Sequence, residues 1–418
     1  MPVPRVCVIG AGIVGCATAH LLAKAGHRVT LLDAAAGPGL GATMANGAQL
    51  SYSYVEPLAT PATLRKMPAL LLDRGSPLRF RLTGEPEQLR WGLRFLRACT
   101  AAQAQRATAA LLALAELSRS ELHAAVAADG LRFDHAQPGK LVVYDSAAGL
   151  AGARRQVELQ LALGCTQQVL THAQCLEREP ALAAYAEHIA GGVWTPGEEV
   201  ADPLRLAGEL AERAARYGAE LRWRCAATGF VRRGERIVAV KTATGEVETD
   251  AVVLANGAAA ARLGRALGLR LPVYPLKGYS ITVPVADPAR APRVSVTDLR
   301  RKIVYAPLAG TLRVAGMAEL VGHDLRIDAR RIRQLTDAVA ETFPGAGDLN
   351  ADLRPWAGLR PATPTSMPIV GAAGAANAYL NVGHGALGLT LALGSARLVQ
   401  QLLAGLAPRV AAPFAWRR

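Results

Sequence analysis

The chain's N-terminal stretch reads Val6-Cys7-Val8-Ile9-Gly10-Ala11-Gly12-Ile13-Val14-Gly15, then an apolar run, then Arg28-Val29-Thr30-Leu31-Leu32-Asp33. The pattern predicts a buried strand, a tight glycine turn, a helix over Ile13–Ala25 stopped by Gly26, and a second strand closed by a carboxylate. Each glycine has its own task. Gly10 turns the chain out of the strand, Gly12 lets a pyrophosphate approach the backbone, and Gly15 lets the helix pack close on the sheet. The helix start offers unpaired N–H groups and a partial positive charge to phosphates. Asp33, 23 residues after Gly10, stands where an acid accepts hydrogen bonds from a ribose 2′-OH. An acid there suits an unphosphorylated ribose, which favours NAD or FAD over NADP. The motif alone does not choose between those two.

With 418 residues and 51% hydrophobic content, the chain suffices for two domains or one large interleaved pair. No uninterrupted apolar span of membrane length stands out. A signal peptide would have to include the glycine turn, so none is expected. Cys7, Cys16, Cys99, Cys165, Cys175 and Cys225 are scattered, without CxxC pairs or neighbouring histidine clusters. They read as reduced thiols of a cytoplasmic protein, with no metal site and no disulfide frame. The formal charge is +14, and all but six of the 47 cationic residues are arginines. These are spread along the chain without interleaved aromatics, which argues against nucleic acid. Compositional bias accounts for the charge better than attraction of anionic substrates or loose contact with an acidic membrane face.

After Asp33, residues 37–49 are too glycine-rich for an ordinary helix, and Thr43, Asn46, Gly47 and Gln49 there are suited to hold a cofactor. Residues 61–129 read as helices and 131–144 as strand. Gly191-Gly192-Val193-Trp194 reads as a strand re-entering the first domain. Asp202-Pro203 starts a helix stopped by Gly218. Ala251–Leu254 reads as a buried strand ending in the turn Asn256-Gly257 beside the cofactor. From Leu271 the pattern changes to short strands, with a helix over Ala329–Phe343. Leu380–Val382 followed by Gly383-His384-Gly385-Ala386-Leu387-Gly388 is a second strand–glycine turn–helix unit. The reading is an α/β, two-domain fold. A Rossmann-like nucleotide-binding domain, the FAD-binding domain on the reading that follows, comprises residues 1–84, 192–268 and 355–418. An interleaved mixed-sheet substrate domain comprises 85–191 and 269–354.

Two such units at the two ends of one chain suit a long cofactor held by both, as FAD is. The sequence resembles the D-amino acid dehydrogenase small-subunit family, within the wider amino-acid oxidase and glycine oxidase group. The resemblance covers nearly the whole chain. Its carriers are Val8–Gly15, Ala45-Asn46-Gly47, Tyr274-Pro275-Leu276-Lys277-Gly278-Tyr279-Ser280, Gly316-Met317-Ala318-Glu319, Gly358-Leu359-Arg360-Pro361 and Gly383-His384-Gly385. The family's usual Thr-Pro-Asp-Gly is replaced by Thr363-Pro364-Thr365-Ser366, which weakens any transfer of substrate preference.

The resemblance implies non-covalent FAD and hydride transfer from Cα of a D-amino acid to flavin N5, giving a 2-oxo acid and ammonia. It also implies electrons passed to a quinone-type acceptor, at the inner face of the plasma membrane. Cofactor contacts are then expected from Ile9, Gly10, Gly12, Ile13, Val14, Gly15, Asp33, Thr43, Asn46, Gly47, Gln49, Ala227, Asn256, Gly257, Arg360, Gly383, His384, Gly385, Leu387 and Gly388. A carboxylate substrate needs a planar, permanently charged anchor, and Arg360 is the candidate. Tyr54, Tyr279 and Lys277 are candidates for the pocket and its chemistry. An oxygen-using oxidase of glycine, sarcosine or D-proline-like amines, and a non-catalytic flavin-binding subunit of a larger complex, are the alternatives. Oligomeric state is left open.

Overall fold

The computed structural model describes residues 3–55, 57–72, 76–349 and 353–416. A six-stranded sheet lies at its centre. Its order is Ile369–Ala372, Ala378–Val382, Ala251–Leu254, Arg5–Ile9, Arg28–Leu32, Glu220–Arg222. All pairs are parallel except the first, which is antiparallel. Val6-Cys7-Val8-Ile9 and Val252-Val253-Leu254 are buried on both faces, as a covered parallel sheet requires. On one face the helix Ile13–Lys24 packs between Pro203–Arg216 and Gly388–Leu403, and the latter lies on the long helix Ala101–Asp129. On the other face an antiparallel meander, Ala227–Arg233, Arg236–Thr242 and Gly245–Glu248, seals Cys7, Ile9, Val252 and Leu254. The C-terminal helical stretch Gly385–Leu403 is long and apolar enough to cross a membrane, but here its apolarity serves the core.

The second sheet is larger and mixed. Its path is Arg354–Ala362, Tyr274–Pro284, Thr311–Leu320, Ile303–Leu308, Ser295–Asp298, Lys140–Tyr144, Gly191–Thr195, Gln168–Thr171, with Leu78–Phe80 beside Thr311–Leu320. The helix Ala329–Thr342 covers one face through Leu335, Ala338 and Val339. The other face meets the loop of residues 43–49.

Four expectations need correction. Gly191–Thr195 pairs antiparallel with Lys140–Tyr144 and Gln168–Thr171, so it belongs to the large sheet and does not re-enter the nucleotide sheet. Gly192 is there because a Cβ would lie 2.8 Å from Cys175 Sγ and 2.9 Å from Leu141 Cδ1. Arg354–Ala362 also pairs in the large sheet, so the boundaries at 192 and 355 cut into that sheet. Within residues 131–144 only Lys140–Tyr144 is strand, and the helical stretch from 61 is interrupted by Leu78–Phe80.

A buried knot joins the layers. Glu199 accepts from Tyr52 Oη at 3.0 Å and meets His123 Nε2 at 2.6 Å and His135 Nε2 at 2.8 Å. It pins the helix Ala101–Asp129 and the loop that follows it to the short strand Glu199–Val200.

Candidate active site

The N-terminal turn divides its glycines by task. Gly10 has φ +104°, and a Cβ on it would lie 2.5 Å from Asn256 Cα. A Cβ on Gly15 would lie 1.7 Å from Gly10 O. Both are demands of the fold itself. At Gly12 a Cβ would meet only Thr43 Oγ1, at 3.5 Å, so the protein leaves this side open. The helix starting at Ile13 has no side-chain cap at Gly12 and no acid in its first turn. Of its leading donors, Ile13 N–H goes to Thr43 Oγ1 at 3.0 Å. Asp33 buttresses the turn, accepting from Ala11 N at 2.6 Å and Ala35 N at 2.7 Å. Ile9 is buried in the core on the meander side, and Val14 packs on the core of the helix side. Asn256, against Gly10, keeps a buried Oδ1 with no partner, an acceptor that a buried site does not ordinarily waste. Gly257 follows in the left-handed region, φ +56°. Ala227 opens the meander, half-buried.

The C-terminal unit repeats the arrangement one strand away. Arg5–Ile9 and Ala378–Val382 flank Ala251–Leu254 on its two sides, so both helix starts lie at neighbouring strand ends of one sheet. Gly383 is forced, φ +81° with a Cβ position 2.6 Å from Thr363 Cγ2. Gly385 has φ +56° and nothing within 4 Å of its Cβ position, and Gly388 meets only His384 Cβ at 3.7 Å. The helix Gly388–Leu403 starts after Leu387 without a side-chain cap. His384 itself is turned away. Its Nε2 lies 3.1 Å from Ser395 Oγ, and burial pushes its pKa down to about 3, so the ring is neutral.

The loop between the sheets is clamped from the large sheet. Ala45 O accepts from Ser280 Oγ at 2.5 Å and Asn46 O from Arg313 Nη1 at 3.0 Å. Gly47 sits where a Cβ would press Val304 Cγ2 at 3.1 Å. Asn46 Oδ1 closes on Ala48 N at 2.9 Å. Gln49 Oε1 accepts from Lys140 Nζ at 3.1 Å, and Gln49 Nε2 donates to Ser295 Oγ at 2.5 Å. The side chains of Asn46 and Gln49 are thus engaged within the protein. Lys140 also donates to Ser51 Oγ at 3.0 Å and stands 4.1 Å above the Tyr54 ring. Burial lowers its pKa to about 8.

Arg360 lies opposite Leu276 in the antiparallel register with Tyr274–Pro284, two places from the Gly278–Gly358 pair. Its guanidinium lies across Gly278, where a Cβ would be 2.3–2.7 Å from Nη2, Cζ and Nη1. Nη1 donates to Met317 O at 2.8 Å. That carbonyl is aimed by the backbone. The pairing of Tyr274–Pro284 with Thr311–Leu320 shifts register between Lys277 and Tyr279, and Met317 takes φ +62°. A bulge re-aims a group in just this way. The side chain keeps some exposed surface, yet the surrounding protein pushes its pKa down to about 10. At neutral pH it is still a full cation. Its remaining N–H groups have no partner among the described residues.

Two expected members are on the other side. Strand parity puts Gly278 and Ser280 on the face of Arg360, and Lys277 and Tyr279 on the opposite face. Lys277 Nζ donates to Arg326 O at 2.5 Å, and Tyr279 Oη donates to Glu319 Oε2 at 3.0 Å. Tyr279 is packed under Leu335 in the core beneath Ala329–Thr342. Neither converges on Arg360, and the candidates Lys277 and Tyr279 are withdrawn for that reason. Tyr54 lies with Lys140 and Val142, on the same face of the strand Lys140–Tyr144. Sequence reasoning missed Lys140, Arg313 and the orphaned Glu198 Oε2. The one available signal was a lysine inside the apolar strand Lys140-Leu141-Val142-Val143-Tyr144.

The residues fit FAD. Two helix starts whose N-cap residues make no side-chain cap, an open glycine cradle and an unpartnered Asn256 oxygen lie at neighbouring strand ends of one sheet, with Arg360 on the other sheet. A family model described as DAO, FAD dependent oxidoreductase, matches residues 5–402. The chain is 49% identical to D-amino acid dehydrogenase 2 of Ralstonia nicotianae, covering 99% of this chain and 100% of that protein. It is 45% identical to D-amino acid dehydrogenase 2 of Pseudomonas aeruginosa, over 97% and 96% of the two chains. Among solved structures, glycine oxidase of Geobacillus kaustophilus superposes with TM-score 0.78 at 23% identity over 99% of both chains. L-proline dehydrogenase of P. horikoshii superposes with TM-score 0.75 at 20% identity, over 99% and 96%.

Proposed function

The chain belongs to the DAO family of FAD dependent oxidoreductases, and on that premise we propose that it oxidises a D-amino acid to the imino acid, which water hydrolyses to the 2-oxo acid and ammonia. We further propose that the electrons leave to a quinone-type acceptor, and that the protein works at the cytoplasmic face of a membrane. The single observation that carries the substrate assignment is Arg360. It is a pre-oriented guanidinium with unspent donors, fixed by Gly278 beneath it and by the Met317 carbonyl.

FAD, when bound, supplies the hydride acceptor. The protein's part is placement and field. Arg360 pairs with the substrate carboxylate and so aims Cα. The Gly12 turn and the helix start at Ile13 would hold the pyrophosphate, and the helix start at Gly388 would offer N–H donors and positive dipole to an electron-rich part of the cofactor. His384 stays neutral and orients that turn through Ser395. Lys277 and Tyr279, on the far face, are not placed to act as a general base. An amine that arrives deprotonated does not need one.

Anaerobic mixing of the purified flavoprotein with a panel of D- and L-amino acids tests the reading. Bleaching of the flavin band by D- but not L-isomers is expected. No bleaching by any amino acid would leave a non-catalytic flavin subunit as the better account. The acceptor is tested separately, by peroxide yield in air against reduction of a quinone-type dye, with the dye expected to dominate.

A further inference from the structure

The helix Pro86–Ala98 has three distinct sides. At about 100° per residue, Gln88, Trp91, Phe95 and Ala98 fall together and form the packed side. Trp91 Nε1 donates to Ala362 O at 2.9 Å and the ring stacks on Phe95 at 5.2 Å. Gln88 donates to Arg81 O at 2.9 Å. Leu89, Leu93 and Leu96 form a second side, 55%, 56% and 44% exposed. Arg90, Arg94 and Arg97 form the third, all exposed. Single exposed leucines need no explanation. A stripe at i, i+4 and i+7 along one helix, edged by cations, is a different matter.

The arginine side opens into a groove. Arg90 and Arg94 line about 470 Å³ together with Arg265 and Arg270, over Trp91, Leu271 and Tyr274. One acid is present: Glu87 pairs with Arg265 at 3.1 Å and with Arg90 at 3.8 Å. Arg94, Arg97 and Arg270 have no acidic partner among the described residues. An anion bearing a hydrocarbon tail satisfies both sides at once.

We propose that this helix docks the protein on an anionic lipid bilayer. The leucines enter the headgroup–acyl boundary, and Arg90, Arg94, Arg265 and Arg270 take lipid phosphates. A second copy of the chain is the poorer occupant, because a two-fold contact would set this arginine edge against itself. The location gives the docking a purpose. Trp91 is bonded to Ala362, two residues from Arg360 on the same strand, so the lipid surface lies against the strand that carries the substrate anchor. This rests on the quinone reading above, in that a lipid-dissolved acceptor gives the site its use.

The test is sedimentation of the holoprotein with phosphatidylcholine vesicles and with vesicles carrying a third phosphatidylglycerol, at low and high salt. The wild type is expected to partition onto the anionic vesicles, and less so at high salt. The Leu89→Ser/Leu93→Ser/Leu96→Ser and Arg90→Gln/Arg94→Gln variants should each lose about tenfold or more of that partition. Dye reduction by a D-amino acid in solution should be unchanged in both, which also shows that they fold. Absence of wild-type binding to anionic vesicles, or variants that bind as the wild type does, would overturn the proposal. So would a leucine variant that only abolishes self-association. Vesicle binding needs no turnover, so a protein that binds anionic vesicles but fails to reduce quinone upholds the docking and refutes the acceptor instead.

Discussion

Arg360 gains its direction from two residues with no charge. Gly278 allows the guanidinium to lie flat on the strand, and Met317 gives up an ordinary β conformation to offer its carbonyl. The proposed contact of Arg360 with a substrate carboxylate would be a buried charge pair, and removing one partner of such a pair costs roughly 3–5 kcal/mol. Arg360→Ala should therefore lower kcat/KM by about two to three and a half orders of magnitude, with flavin content unchanged. Arg360→Lys should recover only part, since an ammonium cannot make the planar two-point contact. Steady-state kinetics with flavin absorbance on the same samples would check both, and a wild-type rate for Arg360→Ala would remove the anchor. Lys140 makes a pH prediction. Burial holds its folded pKa at about 8, below its ordinary 10.5, so the folded state resists the charged form. The penalty is fully present below about pH 8 and fades as pH rises toward 10.5. Lys140→Met should therefore be most stabilised relative to the wild type near pH 7, with the gap closing toward pH 10. Thermal melting across that range reads the effect, and a constant gap would refute it.

At the scale of elements, the two strand–turn–helix units separate what a fold needs from what a ligand needs. Gly15→Ala puts a methyl 1.7 Å from Gly10 O and should destabilise the protein by about 3 kcal/mol or more, overpacking against backbone that has nowhere to go. Gly12→Ala puts its methyl near Thr43 Oγ1 alone. Its melting temperature without cofactor should match the wild type, while its flavin content falls steeply. Melting curves of flavin-free protein and flavin-to-protein absorbance ratios distinguish the two, and equal flavin retention by Gly12→Ala would refute the open-cradle reading. Both units were legible because everything in them is local: apolar strand, glycine spacing, helix start. Gly191–Thr195 was not. A short apolar strand with glycines carries no mark of which sheet it joins, since strand pairing is a long-range choice.

For the whole molecule, the two chain ends converge on neighbouring strand ends of one sheet, so a cofactor bound there should stabilise the tertiary fold as a unit. A ligand at about 100 times its dissociation constant adds roughly 2.7 kcal/mol. Flavin-free protein should melt higher with FAD and unchanged with NAD, and a response to NAD alone would reverse the cofactor assignment.

What the amino-acid order determined by itself was the local grammar: the cradle at Gly10–Gly15, the acid at Asp33, the second glycine turn at Gly383–Gly388, and a guanidinium at Arg360. Strand alternation even implied that Lys277 and Tyr279 point opposite to Gly278 and Ser280. Only the tertiary structure decided what packs on each of those faces. It sent one face to the loop at Ala45 and Asn46 and buried the other under Ala329–Thr342. It also brought Lys140 to Gln49 and Ser51 across 89 or more residues of chain. The reason is that a strand's two faces are equivalent until something packs on them, and what packs is set by contacts between segments far apart in the chain.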